Sequence, residues 1–215
     1  MSEVVSVERD GAEAVKAALE RTVHSGGVAL FPADGLYGLA CDPLNAEAIA
    51  LIHEIKGRDD GKPSAVMYFS SVMMRELLAG LGDATKAVMG AVLPGPYTLV
   101  IANPERRYPL ACRDAPERLG VRLIDGPLHG ANCVIFQTSA NRSGEEAPAS
   151  FEEVDLGIVE AVDLAIDGGK RNGQPSTVVD LTTIDSGGGA KILRQGGGTT
   201  AMLSMFLLEG GFGLE

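Results

Sequence analysis

The sequence predicts an α/β protein, a single-domain twisted mixed sheet flanked by helices. Helical and strand periods of apolar residues alternate along most of the chain. The composition, 45% apolar and 22% charged over 215 residues, suits a globular chain with one substantial core. Glycine is 28 of 215, aromatics are 5% and tryptophan is absent, which favours a turn-rich fold whose backbone lies close to a ligand.

The first helix is expected over 11–24, where Ala14, Val15, Ala18, Leu19 and Val23 form a stripe that Ser25-Gly26-Gly27 stops. Residues 28–31 read as a short buried strand ending at Pro32. Asn45 caps a helix through Ile55, with Ala48, Ile49, Ile52 and Ile55 on one side. A strand over 65–69, helices over 73–81 and 84–92, and a strand over 98–102 follow, the last after the turn Pro94-Gly95-Pro96. Strands are expected over 121–124, 133–137, 164–166, 177–181 and 191–193, with an acidic helix over 151–161. There is no internal repeat and no linker long enough to divide the chain, so one domain is expected over 8–197, followed by a tail over 198–215 that can be helical.

The formal charge of −11, from 18 basic and 29 acidic residues, argues against coating nucleic acid by bulk electrostatics. The charge is unevenly spread: residues 145–167 hold eight acids and no base, while 105–142 hold six arginines (Arg106, Arg107, Arg113, Arg118, Arg122, Arg142) against four acids. No apolar run is long enough to span a bilayer. The N-terminus has neither the basic stretch nor the apolar core of a signal, so a cytoplasmic location without membrane association is expected. Cys41, Cys112 and Cys133 show no metal-ligand spacing and read as reduced, buried thiols.

Several common motifs are missing. Neither GxxxxGK[ST] nor GxGxxG occurs, His53-Glu54 lacks the second histidine of HExxH, and there is no GxSxG elbow. His53 therefore reads as part of its helix, and no metal ligands are expected. Asn141-Arg142-Ser143 matches a glycosylation sequon by chance.

Four clusters remain, each at the end of an expected strand or helix, where sites in open α/β sheets gather. They are Pro32-Ala33-Asp34-Gly35-Leu36-Tyr37-Gly38-Leu39; Lys56-Gly57-Arg58; Ser139-Ala140-Asn141-Arg142-Ser143-Gly144; and Ser176-Thr177-Val178-Val179-Asp180 with Leu193-Arg194-Gln195-Gly196. Lys56 offers a point charge and Arg58 and Arg194 planar forks suited to a polyphosphate, while Ser139 and Asn141 offer neutral donors. Each cluster alone also fits a plainer reading as helix-end charge or turn chemistry.

In order and spacing the clusters resemble the YrdC-type threonylcarbamoyl-AMP synthase family, the YrdC/YciO-like domain. The family's P-T-[DE]-T-x-Y-G-L matches Pro32 to Leu39 in part, K-x-R matches Lys56 and Arg58, P-G-x-x-T matches Pro94, Gly95 and Thr98, and V-R matches Val121 and Arg122. S-A-N-x-S-G matches Ser139 to Gly144 fully, D-G-G matches Asp167 to Gly169, S-T-[VI]-V-D matches Ser176 to Asp180, and L-R-x-G matches Leu193 to Gly196.

The resemblance implies a concave, positively charged cavity in which L-threonine, bicarbonate and ATP, with Mg2+, give threonylcarbamoyl-adenylate and pyrophosphate. The product would reach tRNA through a downstream transferase. It further implies that Lys56, Arg58, Ser139, Asn141 and Arg194 hold the ATP phosphates, that Arg118 borders the nucleotide, and that Arg122 and Ser176 hold the amino acid. The chain departs from the family at Ala33 and Gly35, where two threonines stand, at Asp59 in place of proline, and at Met67 in place of histidine. The segment over 121–139 is also shorter than usual. Gly35 and Met67 fall at the implied amino-acid end and predict relaxed discrimination between threonine and other small amino acids. Two alternatives stay open: a paralogue that adenylates another carbamate, and a non-catalytic RNA-binding or ribosome-assembly module.

Overall fold

Alternation along the strands sorts the side chains onto two faces of one sheet. In the computed structural model, which describes residues 2–57 and 63–214, the strands are β1 (Glu3–Ser6), β2 (Ala29–Pro32), β3 (Tyr37–Cys41), β4 (Ala65–Tyr68), β5 (Tyr97–Ala102), β6 (Arg118–Leu123), β7 (Ile135–Ser139), β8 (Leu164–Asp167), β9 (Thr177–Asp180) and β10 (Lys191–Arg194). Among the described residues they form a ten-stranded sheet in the order β1-β8-β2-β3-β7-β4-β6-β5-β9-β10. The pairing is mixed: β1–β8, β2–β8, β4–β6 and β5–β9 are parallel and the other five pairs antiparallel. The helices are α1 (Val7–Asp10), α2 (Ala12–His24), α3 (Ala46–Ile55), α4 (Arg75–Ala79), α5 (Asp83–Val92), α6 (Pro109–Cys112), α7 (Leu156–Ala161) and α8 (Thr200–Glu209).

On one face Leu30, Leu39, Val66, Leu99, Val121, Phe136 and Val179 pack with α3, α5 and α8 into the larger core. On the other face Ala29, Phe31, Ala40, Met67, Ile135 and Ile166 pack with α2 into a smaller core. The stripe on α2 supplies Val15, Ala18, Leu19 and Val23, all buried. Helix α3 begins at the expected cap, where Asn45 Oδ1 accepts from the backbone N–H groups of Glu47 and Ala48 at 3.0 and 3.1 Å.

The structure corrects several element boundaries. Strand β3 runs through a segment read only as a motif, its Gly38 giving passage to the Phe31 ring, which a Cβ would approach to 2.9 Å. Strand β1 joins the edge of the sheet by parallel pairing to β8, a long-range contact with no local sequence signature. The acidic helix divides into a 3-10 turn over Phe151–Glu153 and α7, because Asp155 starts a new helix by accepting from Ile158 N at 3.2 Å. The helix over 73–81 shortens to α4, with no side-chain cap at its start. The tail carries α8, whose Leu203 and Leu207 are buried in the larger core. No helix among the described residues is long and apolar enough to cross a membrane. The cysteines are buried and unpaired, and burial pushes the Cys41 and Cys133 thiols up to about 12, which leaves them inert at neutral pH.

Helix α5 takes its cap from far along the chain. Gly82 precedes it with no side chain to offer, and the Asp185 carboxylate instead accepts from Ala84 N at 3.0 Å, Thr85 N at 3.1 Å and Thr85 Oγ1 at 2.6 Å. Asp185→Ala is expected to cost about 1–2 kcal/mol, lowering Tm by several degrees in a thermal melt, with Asp185→Asn recovering part of the loss. An unchanged Tm in the alanine variant would contradict this capping role.

Candidate active site

The smaller core covers only part of its face of the sheet. Beyond it the floor is built from the same alternating positions with small or polar side chains: Gly38 on β3, Gln137 and Ser139 on β7, Ala65 on β4, Gly120 and Arg122 on β6, Thr98 and Val100 on β5, and Val178 on β9. The result is a concave cavity of about 610 Å³, within the range of sites that enclose small ligands. Its wall includes four cations, Lys56, Arg118, Arg122 and Arg194, and among the described residues no carboxylate.

Lys56 follows the last turn of α3 and is buried. Its ammonium donates to the carbonyl of Ser139, to that of Asn141 at 2.8 Å and to Asn141 Oδ1 at 3.4 Å. The lysine therefore brings its charge to the cavity and at the same time holds the turn that leaves β7. Within that turn Ser139 Oγ donates to Asn141 Oδ1 at 2.5 Å, and Asn141 Nδ2 donates to the carbonyls of Arg142 and Glu145.

At the other end the Arg194 guanidinium donates to the Ser176 carbonyl at 2.9 Å and to Ser176 Oγ at 3.3 Å, and Ser176 Oγ shares a 2.7 Å hydrogen bond with Thr98 Oγ1. Arg118 pairs with Asp180 at 2.5 Å and is partly exposed. Arg122 pairs with the Asp34 carboxylate, and its Nε is buried with no hydrogen-bond partner. Burial lowers the pKa of Arg122 and of Arg194, but a guanidinium stays charged throughout the ordinary pH range. Burial also raises the Asp34 carboxyl against the opposing pull of Arg122 and Arg171.

The structure thus brings together Lys56, Ser139, Arg118, Arg122, Ser176, Arg194 and Gly35 around one cavity. Arg58 and Asp59 lie outside the described residues. One expectation needs correction. Met67 sits beside Arg122 in the register of β4 and β6, yet it has no exposed surface and packs into the smaller core instead of the cavity wall. Asn141 is half-buried beside Lys56, with its amide nitrogen engaged in fixing the turn.

Sequence reasoning missed the segment 171–175. Gln174 and Pro175 line the cavity, and a Cβ at Gly35 would overlap the Gln174 carbonyl oxygen outright, so glycine at 35 is what lets this segment seat. It also missed that His53 faces the cavity, with its Nε2 at 2.6 Å from Arg113 Nη2. An always-protonated guanidinium makes that nitrogen the acceptor. Tyr37 anchors the neighbouring loop, its hydroxyl accepting from Gly168 N and donating to the Gly169 carbonyl, both at 2.9 Å.

The Sua5/YciO/YrdC family model, described as "Telomere recombination", matches residues 21–196. A threonylcarbamoyl-AMP synthase of Chromohalobacter salexigens is 34% identical over 165 residues, covering 74% of this chain and 88% of that protein. Another, from Thiobacillus denitrificans, is 31% identical over 189 residues, 85% of this chain and 96% of that one. P. abyssi Sua5, solved in complex with L-threonine, shares the fold with a TM-score of 0.82 at 24% identity; the match covers 100% of this chain, which spans 62% of that longer protein. E. coli YciO shares it with a TM-score of 0.78 at 24% identity, covering 94% of this chain and 100% of that one. The chain belongs to the Sua5/YciO/YrdC family.

Proposed function

We propose that this protein is a threonylcarbamoyl-AMP synthase, a nucleotidyltransferase that condenses L-threonine, bicarbonate and ATP and releases pyrophosphate, supplying tRNA threonylcarbamoyladenosine formation through a downstream transferase. The observation that carries this reading is the cavity of about 610 Å³ whose described wall has four cations and no carboxylate, placed where the family motifs converge. Relatives bearing that enzyme name, and L-threonine bound in P. abyssi Sua5, support it.

In this reading Lys56, Ser139 and Arg194 bear on the triphosphate, with Arg58 adding to them and Arg118 bordering the nucleotide. Asn141 acts through the turn it fixes. Arg122 and Ser176 hold the amino acid, and Gly35 shapes its end of the cavity. The chemistry needs no covalent protein intermediate. The neutral threonine amine forms an N–C bond to carbon dioxide derived from bicarbonate; the proton lost from nitrogen balances the one taken up in dehydrating bicarbonate, so carbamate forms with water released. A carbamate oxygen then forms a bond to the α-phosphorus, and the bond from that phosphorus to the β-phosphate bridge breaks, pyrophosphate leaving with the electron pair. Fixed positive charge around the triphosphate neutralises the charge that develops on the leaving group, and the enclosed wall holds the reactants in line. Among the described residues no group of three or more acidic, histidine or cysteine side chains is gathered where it could hold a metal ion. Magnesium would enter as the companion of the nucleotide phosphates, and no step is assigned to it.

Purified protein with MgATP is expected to release pyrophosphate only when bicarbonate and an amino acid are both present. Release indifferent to bicarbonate, or absent with every amino acid tested, would overturn the reading. Lys56→Ala should lower kcat/KM about hundredfold, the scale of losing one preorganised charge at developing negative charge. Because Lys56 also holds the 139–141 turn, this variant should lose Tm as well, whereas Arg194→Met should lose activity with little change in Tm. Undiminished activity in both variants would remove the cations from the mechanism.

A further inference from the structure

Behind the amino-acid end of the cavity lies a charge cluster in which Asp34 and Arg122 stand in the family motifs and a third member, Arg171, does not. Only 7% of the Arg122 side chain is exposed, and its guanidinium bonds the Asp34 carboxylate. One guanidinium against one carboxylate is a neutral buried pair, and such a pair offers an incoming anion little attraction. Arg171 alters that balance. Its Nη2 donates to the Asp34 backbone carbonyl at 3.3 Å, and its charge acts on the same Asp34 carboxyl that Arg122 holds. The Nε atoms of Arg122 and of Arg171 are both buried without a hydrogen-bond partner. The other charges near the cluster are Arg194, close enough to disfavour the charged form of Arg122, and Asp125, an exposed carboxylate that solvent screens.

Arg171 is held in place by its own backbone. Its N–H donates to the Ala149 carbonyl at 2.6 Å; two residues on, Gly173 N donates to the Gly35 carbonyl at 2.9 Å, and Asn172 Oδ1 accepts from Gln174 N at 2.9 Å. This strap rests directly on Gly35, where a side chain would collide with the Gln174 carbonyl.

We propose that Arg171 is a positioning residue for amino-acid binding: by sharing Asp34 with Arg122 it leaves the cluster one positive charge in excess and keeps the Arg122 guanidinium available to the substrate α-carboxylate. The proposal rests on the synthase reading, which puts the amino acid at Arg122. It makes amino-acid affinity depend on a charge count, two guanidiniums to one carboxylate, more than on Arg171 as such.

The test is calorimetric binding of L-threonine, with KM for amino acid and ATP and Tm measured in parallel, on Arg171→Met, Arg171→Lys and the double variant Arg171→Met/Asp34→Asn. Arg171→Met should weaken L-threonine binding about tenfold to a hundredfold, the scale of one charged hydrogen bond, with KM for ATP unchanged. Arg171→Lys should retain most of the affinity. The double variant should recover affinity over Arg171→Met, because Arg122 is again the excess charge; a merely structural Arg171 gives no such rescue. L-threonine binding unchanged in Arg171→Met, a double variant no better than the single, or an equal rise in KM for ATP would each overturn the proposal, as would a wild-type protein that does not bind L-threonine. If the wild type binds L-threonine and the variants rank as expected but pyrophosphate is never released, the synthase reading fails and the charge balance stands.

Discussion

The site depends on the two-sidedness of six adjacent strands, β3, β7, β4, β6, β5 and β9. Each turns an apolar residue toward the helices of the larger core and a small, polar or cationic one to the opposite face. Pleat geometry makes these choices inseparable: Leu39 and Gly38, Phe136 and Gln137, Val66 and Ala65, Val121 and Arg122, Leu99 and Thr98, and Val179 and Val178 are successive residues pointing opposite ways. A register slip of one residue would bury Arg122 among the helices and expose Val121 in the cavity. The packing of the larger core therefore fixes the floor of the site, and the smaller core, with α2 packed on β1, β8, β2 and β3, leaves that floor open.

Charge within the cavity follows from the same geometry. Arginines placed on an enclosed wall cannot escape ionisation by losing a proton, so each is compensated nearby: Arg122 by Asp34, Arg118 by Asp180, and Arg194 by donation to Ser176. Lys56 is compensated by dipoles, the carbonyls of the 139–141 turn, which leaves its formal charge intact. The wall is thus preorganised for a polyanion, with the cost of gathering like charges offset by Asp34 and Asp180 behind it and by main-chain carbonyls beside it.

Much of this was legible in the sequence because it is local. Asn45 with the apolar spacing of α3 announced the helix that delivers Lys56, and the Ser139–Gly144 turn chemistry stood out without any partner. The unread parts are long-range. β1 is a four-residue strand that exists because β8 accepts it, and Asp185 caps a helix roughly a hundred residues away in sequence. Met67 was misplaced because the resemblance put it where the family has histidine; matching a strand position in that way cannot say where along the face the core stops and the cavity begins. Arg171 left no signature at all, since its role arises from a strap seated on Gly35, and an absent side chain at 35 reads in sequence only as a departure.

The most direct measurement is a crystal structure of the protein with a non-hydrolysable ATP analogue and L-threonine. The triphosphate is expected against Lys56, Ser139 and Arg194 and the amino-acid carboxylate on Arg122, both over the floor formed by β7, β4, β6, β5 and β9. Ligand density on the helix-covered face, or a threonine carboxylate that bypasses Arg122, would contradict this placement.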